Sequence, residues 1–263
     1  MSLIWSVHHA LRKRIPRHWI KSIRNIVEAR FDFPFRKEHY SQFGEDSVLQ
    51  SIFAARAWLK SLESGESSRG IESRPGFYVD VGAYSPKEYS NTYWFYKQGW
   101  RGINIDATPG SMKVFRSARG RDINVEVAVS DTEGEMTFYT WGTPTVTNTL
   151  SAEHAARYAK MIGREPEIVK VRTRTLASIL DEHLPPGQEI DFFTIDAEEF
   201  TLQVLRSNDW SRYAPSVVIA EVDVEDIGKV LESEVMAFMT ERNYVMRAWV
   251  GASVIFERGD KAR

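Results

Sequence analysis

Two periods of apolar spacing alternate along this chain, and the switches between them mark out its elements. Short apolar runs occur at Gly76 to Val81, Gly102 to Asp106, Asp122 to Ser130, Ile190 to Asp196 and Pro215 to Glu221. Runs of this length between turn residues read as strands. Between them the spacing lengthens to the helical period. Helices are predicted after Asp46 (Val48, Leu49, Ile52, Phe53), over Pro86 to Gln98, from about Pro109, over Leu176 to Leu184, over Glu198 to Trp210 and over Asp226 to Asn243. Strand and helix in alternation predict a parallel α/β sheet. Glu135 to Trp141 and Ile168 to Leu176 read as added strands, with a polar loop at Thr143 to Ser151 and a short helix at Ala152 to Ile162 between them. Ser61 to Pro75, rich in Ser, Gly and Glu, reads as a loop. The chain closes with two strands, Tyr244 to Val250 and Ala252 to Glu257, joined by a tight turn at Gly251. A nicotinamide-binding sheet normally ends instead with a sixth parallel strand.

Ligands of such sheets bind beyond the carboxyl ends of the strands, so the residues there carry the chemistry. The first strand ends in Asp80-Val-Gly82-Ala-Tyr-Ser85, and the second ends in Asp106. Gly82 would let a backbone approach a ligand closely. Asp106 can accept hydrogen bonds from both hydroxyls of a ribose. The turn lacks the G-x-G-x-x-G that seats a pyrophosphate on a helix N-terminus. A carboxylate at position 80 suits a ligand bearing an ammonium group and a sulfonium, which is S-adenosylmethionine. Asp196, Glu198 and Glu221 fall at the ends of neighbouring central strands and should converge on the cleft. They are the candidate catalytic residues, either as a general base of raised pKa or as hard oxygen ligands of Mg²⁺. His154 is a further candidate base, and the Thr143 to Ser151 loop a candidate lid over the acceptor.

Composition narrows the classes. There is no cysteine, which excludes disulfides, thiolate catalysis and cysteine-ligated metals. No apolar run is long enough to span a bilayer, and the N-terminus lacks the apolar core of a signal peptide, so a cytoplasmic location is expected. The net charge of −2 hides an uneven distribution: residues 1–37 hold nine Lys or Arg and two acidic residues. Trp5, Leu11, Ile15, Trp19 and Ile23 recur there at helical spacing, with a break at Pro16. This segment is read as a basic amphipathic arm, either packed on the domain or lying on an anionic inner-membrane surface, and residues 38–263 as the catalytic domain. No nucleic-acid reading module accompanies the basic residues.

An ordered series of motifs then identifies a likeness. Tyr40-Ser-Gln-Phe-Gly-Glu-Asp46, Phe77-Tyr-Val-Asp-Val-Gly-Ala83, Ser90-Asn-Thr-Tyr93, Gly99-Trp-Arg-Gly-Ile-Asn-Ile-Asp106, Ala128-Val-Ser-Asp131 and Ile190-Asp-Phe-Phe-Thr-Ile-Asp-Ala-Glu198 together resemble the FkbM family of S-adenosylmethionine-dependent methyltransferases. The resemblance implies a Rossmann-like sheet of seven strands, mostly parallel, with an antiparallel hairpin at its end. It implies methyl transfer to a hydroxyl of a sugar, in a glycan or glycolipid, or of a polyketide. It also implies cofactor contacts at Asp80, Gly82, Ala83 and Tyr84, at Asp106 and Ala107, at Val129 and Ser130, and at Gln42, Asp46 and Asn91 in the flanking motifs. Three positions depart from the family pattern: Asp106 stands where glutamate is commoner, Glu199 where glycine is usual, and Thr201 where a second glutamate is usual. The last two leave open a module that holds the cofactor without transferring methyl. A nicotinamide-dependent dehydrogenase is disfavoured by the missing glycines and the terminal hairpin.

Overall fold

The computed structural model describes residues 38–64, 75–143 and 145–259. The basic arm expected over residues 1–37, and most of the loop expected after Ser64, lie outside them. The described elements begin with helix α1 (Glu45–Ser64), strand β1 (Phe77–Val81), helix α2 (Tyr93–Lys97) and strand β2 (Arg101–Asp106). Then come α3 (Ser111–Ala118), β3 (Ile123–Glu126), β4 (Ala128–Val129), β5 (Gly134–Thr140), α4 (Ala152–Ile162), β6 (Glu167–Arg174) and α5 (Leu176–His183). The C-terminal part holds β7 (Phe192–Ile195), a 3₁₀ turn (Glu198–Phe200), α6 (Thr201–Arg206), β8 (Val217–Glu221), α7 (Ile227–Glu232), α8 (Glu234–Glu241), β9 (Tyr244–Val250) and β10 (Ser253–Arg258).

Seven strands form the main sheet in the order β3-β2-β1-β7-β8-β10-β9. Pairing is parallel from β3 to β8, and β10 runs antiparallel to both β8 and β9. The expected closing hairpin is therefore present, turning at Gly251. Both faces of the sheet are covered, which is why its strands are apolar throughout instead of alternating with polar residues. Phe77, Val79, Val81, Phe193, Ile195, Val218 and Ala220 point to one face, where Leu180, Leu205 and Met239 of the following helices pack on them. Tyr78, Phe192, Val217, Ile219 and Ile255 point to the other, against Leu49 of α1 and Phe95 of α2. A second sheet of three strands, β4-β6-β5, carries α4 in its β5–β6 connection. It is the insertion predicted from the added strands.

Several boundaries differ from those predicted, each for a local reason. The third strand is two: β3 pairs with β2 in the main sheet, and after Val127 β4 pairs with β6 in the small one. Only Tyr93–Lys97 of the helix predicted over Pro86 to Gln98 is helical, because Tyr89 is drawn into a bridge with Ser41 and Ser90 turns the chain onto Thr92 and Tyr93. The helix predicted over Glu198 to Trp210 begins as a 3₁₀ turn and ends at Arg206. The one predicted over Asp226 to Asn243 breaks at Ser233, whose extended backbone ends α7 and whose hydroxyl caps α8 by accepting from the Met236 N–H. Helix α1 runs to Ser64, four residues into the predicted loop.

Beneath β1 and β2 lies a buried polar cluster that the apolar pattern did not announce. Arg119 follows α3 and is fully buried. Its Nε bonds Asp122 at 2.9 Å, and its Nη2 bonds the Tyr78 hydroxyl at 2.7 Å and Thr92 Oγ1 at 2.9 Å. Asp122 in turn accepts from the Tyr78 hydroxyl, the Gly102 N–H and Asn104 Nδ2. Burial and the Asp122 carboxylate push the Tyr78 hydroxyl well above the ordinary tyrosine pKa, so it stays protonated. Side chains of two adjacent strands and two loops are thereby tied to one guanidinium.

Candidate active site

Strand ends build one side of a cavity. Val81 and Gly82 come from the end of β1, Ile105 and Asp106 from β2, Val127 to Val129 from the joint between the two sheets, and Asp196 from the residue after β7. Phe138, Asn148, Thr149 and Leu150 of the insertion complete the lining. The insertion loop is held in place by its own bonds. Tyr139 and Thr149 exchange backbone hydrogen bonds of 2.9 and 3.0 Å. Asn148 accepts from the Trp141 N–H and donates from Nδ2 to Gly142 O and to Thr108 Oγ1. The loop predicted as a lid over the acceptor thus lines the same cavity as Asp106.

Asp106 sits in that cavity with both carboxylate oxygens oriented by backbone. Its Oδ2 accepts from the Tyr84 N–H at 3.0 Å and its Oδ1 from the Thr108 N–H at 2.8 Å. The side chains of Thr108 and Ser111 also reach this carboxylate, so a vicinal diol binds it in competition with them. Burial raises the Asp106 pKa, against the pull of the Thr108 and Tyr84 bonds. The apolar walls at Val129, Phe138 and Leu150 suit the faces of an adenine ring. These residues fit an adenosine-type cofactor. Gly82 has φ +76°, and a Cβ there would stand 1.7 Å from the carbonyl oxygen of Asp196. Its small size is therefore demanded first by the neighbouring backbone, not by a ligand.

Asp196, Glu198 and Glu221 do converge. Glu221 donates a proton to Asp196 in a side-chain hydrogen bond between the ends of β8 and β7. Burial, the Asp196 charge and that bond together push the Glu221 pKa up to about 9. Asp196 is also raised, by burial first and by the charges of Glu198, Glu45 and Asp106, although its bond to Glu221 pulls the other way. The residue as a whole is exposed, while its carboxyl group is packed among these neighbours. With its pKa at about 9, Glu221 holds a proton near neutral pH, and the two carboxyls titrate as a pair. Glu198 stands beside them in the left-handed region, φ +50°, with its N–H donated to Glu221 Oε2 at 3.1 Å. Its carboxylate is bound by Thr149 Oγ1 at 2.8 Å, His154 Nδ1 at 3.1 Å and the Tyr158 hydroxyl at 3.4 Å. The other nitrogen of His154 meets Glu199 at 3.0 Å.

Residues 80–246 match the methyltransferase FkbM domain, more than half of the chain. The chain belongs to this family. This FkbM methyltransferase is also similar to solved structures at low identity. A methyltransferase from Geobacter sulfurreducens is 14% identical, with 97% of this chain and 96% of that chain covered and a TM-score of 0.36. A TehB-like SAM-dependent methyltransferase from Corynebacterium glutamicum is 11% identical, covering 81% and 99%, with a TM-score of 0.34. The pyocyanin biosynthetic protein PhzM is 13% identical, covering 85% and 74%, with a TM-score of 0.30. No curated protein matches the chain in sequence.

The expected contact residues divide. Gly82, Asp106, Ala107 and Val129 line the cavity, with Asp196 and Glu198 at its edge. Asp80 does not line it: its Oδ2 accepts from Thr92 Oγ1 at 2.7 Å, and burial lifts its pKa to about 6. Ala83 packs against Met112 and Phe115. Tyr84 contributes its N–H to Asp106, and Ser130 gives its N–H to Arg174 O. Asn91 donates to Thr194, leaving Oδ1 buried without a partner among the described residues. Asp46 is spent on the Tyr40 N–H and the Ser41 hydroxyl, fixing the turn before α1, and Gln42 is exposed in that turn. Phe138 was missed, and Asn148, Thr149 and Leu150 were expected only as part of the Thr143 to Ser151 lid, because a loop's reach to a distant strand end leaves no periodic trace.

The Mg²⁺ expectation does not fit this donor set. Among the described residues no three His, Asp or Glu side chains are grouped so as to hold a metal ion. Asp196 and Glu221 share a proton, and the Glu198 oxygens face three hydrogen-bonding side chains.

Proposed function

We propose that this FkbM methyltransferase moves a methyl group from S-adenosylmethionine to a hydroxyl of a sugar, in a glycan or glycolipid. The observation that carries the reading is the pairing of Asp196 with a protonated Glu221 at the edge of the cavity that holds Asp106. S-adenosylmethionine supplies an activated methyl and its own leaving group. What remains for the protein is to align the acceptor oxygen and remove its proton. Asp196 serves as the general base. Glu221, by keeping its proton, leaves Asp196 as the lone ionised member and donates to it, while Glu198 is held by Thr149, His154 and Tyr158 away from competing for the same proton. A carboxylate of raised pKa is suited to a weakly acidic hydroxyl. The test is S-adenosylhomocysteine formation with candidate glycans, together with mass spectrometry of glycans from cells with and without the gene. Retention of every methylated glycan in the deletion strain would count against it.

Cofactor recognition by Asp106 has its own expected result. Asp106→Ala should weaken S-adenosylhomocysteine binding by ~1–3 kcal/mol, the loss that follows removal of a charge-assisted acceptor. Calorimetry with S-adenosylhomocysteine and with NADH reads this directly, and tight NADH binding in place of S-adenosylhomocysteine would overturn the cofactor assignment.

The acceptor's place bears on residues 1–37. No helix among the described residues is long and apolar enough to cross a membrane. The basic arm is proposed to dock on an anionic surface where a lipid-linked glycan resides, with each basic residue contributing on the order of 1 kcal/mol. Full-length protein should co-sediment with anionic vesicles and be released by salt, and protein starting at Glu38 should not. Equal sedimentation of the two would return the arm to a packing role.

A further inference from the structure

A second cleft meets the first at Glu198, which lines both. One wall is α4, through His154, Arg157 and Tyr158. The opposite wall is the chain after β8, from Glu221 to Val224, and the start of α8 at Glu234. Glu199 and Thr201 lie between them. The cleft thus reaches the carboxylate pair through Glu221, while Asp196 and Asp106 line only the first cavity.

Thr201 is 3% exposed and lines this cleft, and its hydroxyl has no hydrogen-bond partner among the described residues. Buried hydroxyls are rarely left unpaired, and this one, shielded behind the cleft wall, is completed by a guest that displaces the wall slightly. The charge of the cleft is the second observation. Both ring nitrogens of His154 already face Glu198 and Glu199. Arg157, 5.4 Å from the centre of the Tyr158 ring, is then the remaining cation of a lining that also holds Asp223 and Glu234. Glu234 itself is only loosely paired, 3.8 Å from Arg206. The lining carries an excess of negative charge, which repels an anionic guest and admits a neutral or cationic one.

We propose that this cleft is the acceptor site, that the Thr201 hydroxyl pairs with an acceptor hydroxyl, and that the acidic walls select uncharged or amine-bearing sugars over uronates and sugar phosphates. The proposal rests on the methyl-transfer reading of Asp196.

Three probes of one ring type separate the possibilities: methyl β-glucoside, methyl β-glucosaminide and methyl β-glucuronide. Binding to the full chain is followed by saturation-transfer NMR with S-adenosylhomocysteine present, and turnover is followed separately. The glucuronide is expected to bind at least ~10-fold more weakly than the other two. Asp223→Asn combined with Glu234→Gln should narrow that gap. Thr201→Val should weaken all three alike with S-adenosylhomocysteine affinity unchanged, and Thr201→Ser should restore them. Binding of the glucuronide as tight as that of the glucoside overturns the charge selection. Absence of binding by all three, or indifference to Thr201→Val in a folded protein, overturns the assignment of the cleft. Binding in the expected order without turnover supports the cleft and counts instead against Asp196 as base.

Discussion

Asp196→Asn should lower kcat by ~10²–10⁴-fold with little change in cofactor affinity, the scale of lost general base catalysis. The amide keeps the shape of the side chain and its place at the end of β7 but accepts no proton from the acceptor. The pH profile carries the more specific signature. On the acid side the rate should rise as the raised Asp196 carboxyl ionises. On the alkaline side it should change again near 9, where Glu221 gives up the proton that separates the two roles. Glu221→Gln should remove the alkaline limb and leave the acid one, because the amide still donates to Asp196 and does not titrate. Stability should follow the same proton. A carboxyl whose folded pKa lies above its unfolded value binds the proton more strongly in the native state. The Glu221 contribution is therefore complete below an ordinary glutamate pKa of 4.5 and drains away as pH rises toward 9. Measured kcat against pH for wild type and both variants checks the assignment. An Asp196→Asn protein with wild-type turnover would remove Asp196 from the chemistry.

Arg119→Met should cost ~3–5 kcal/mol of stability, the range observed when one partner of a buried ion pair is deleted. Both Arg119 and Asp122 side chains are fully buried, so solvent offers Asp122 no replacement for the guanidinium. The variant also leaves the Tyr78 hydroxyl and Thr92 Oγ1 short of a donor, and Thr92 is the residue that binds Asp80. Denaturant unfolding of the two proteins gives the difference. A loss under ~1 kcal/mol would mean that the cluster relaxes or hydrates, contrary to a locked network.

The two results fall on parts of the molecule that were unequally visible in the sequence. Asp196 was legible because a buried parallel strand is apolar on both faces, so the first carboxylate after Phe192 to Ile195 marks the strand end. The same logic located Asp106 and Glu221. Arg119 was not legible, since an arginine at the tail of an amphipathic helix normally lies in water, and its burial depends on Tyr78 and Thr92 arriving from two other segments to join Asp122, three residues on. The left-handed turn at Glu198 was hidden for a related reason: a carboxylate in an apparent first helical turn reads as a charge favourable to the helix dipole. The break at Ser233 did have a signal. Ser233-Glu234 ahead of an apolar run is a helix-start pattern, masked by apolar periodicity that continues across it.

Gly82 has a consequence for descent. A side chain at this position is barred by the carbonyl of Asp196, whatever the cavity contains. A descendant of this chain that abandoned its chemistry would relax selection on Asp106 and on the carboxyl group of Asp196, while position 82 stayed glycine to let the sheet close. The glycine after the first strand therefore records ancestry and packing. Evidence that a distant relative is still at work must come from the carboxylates around it.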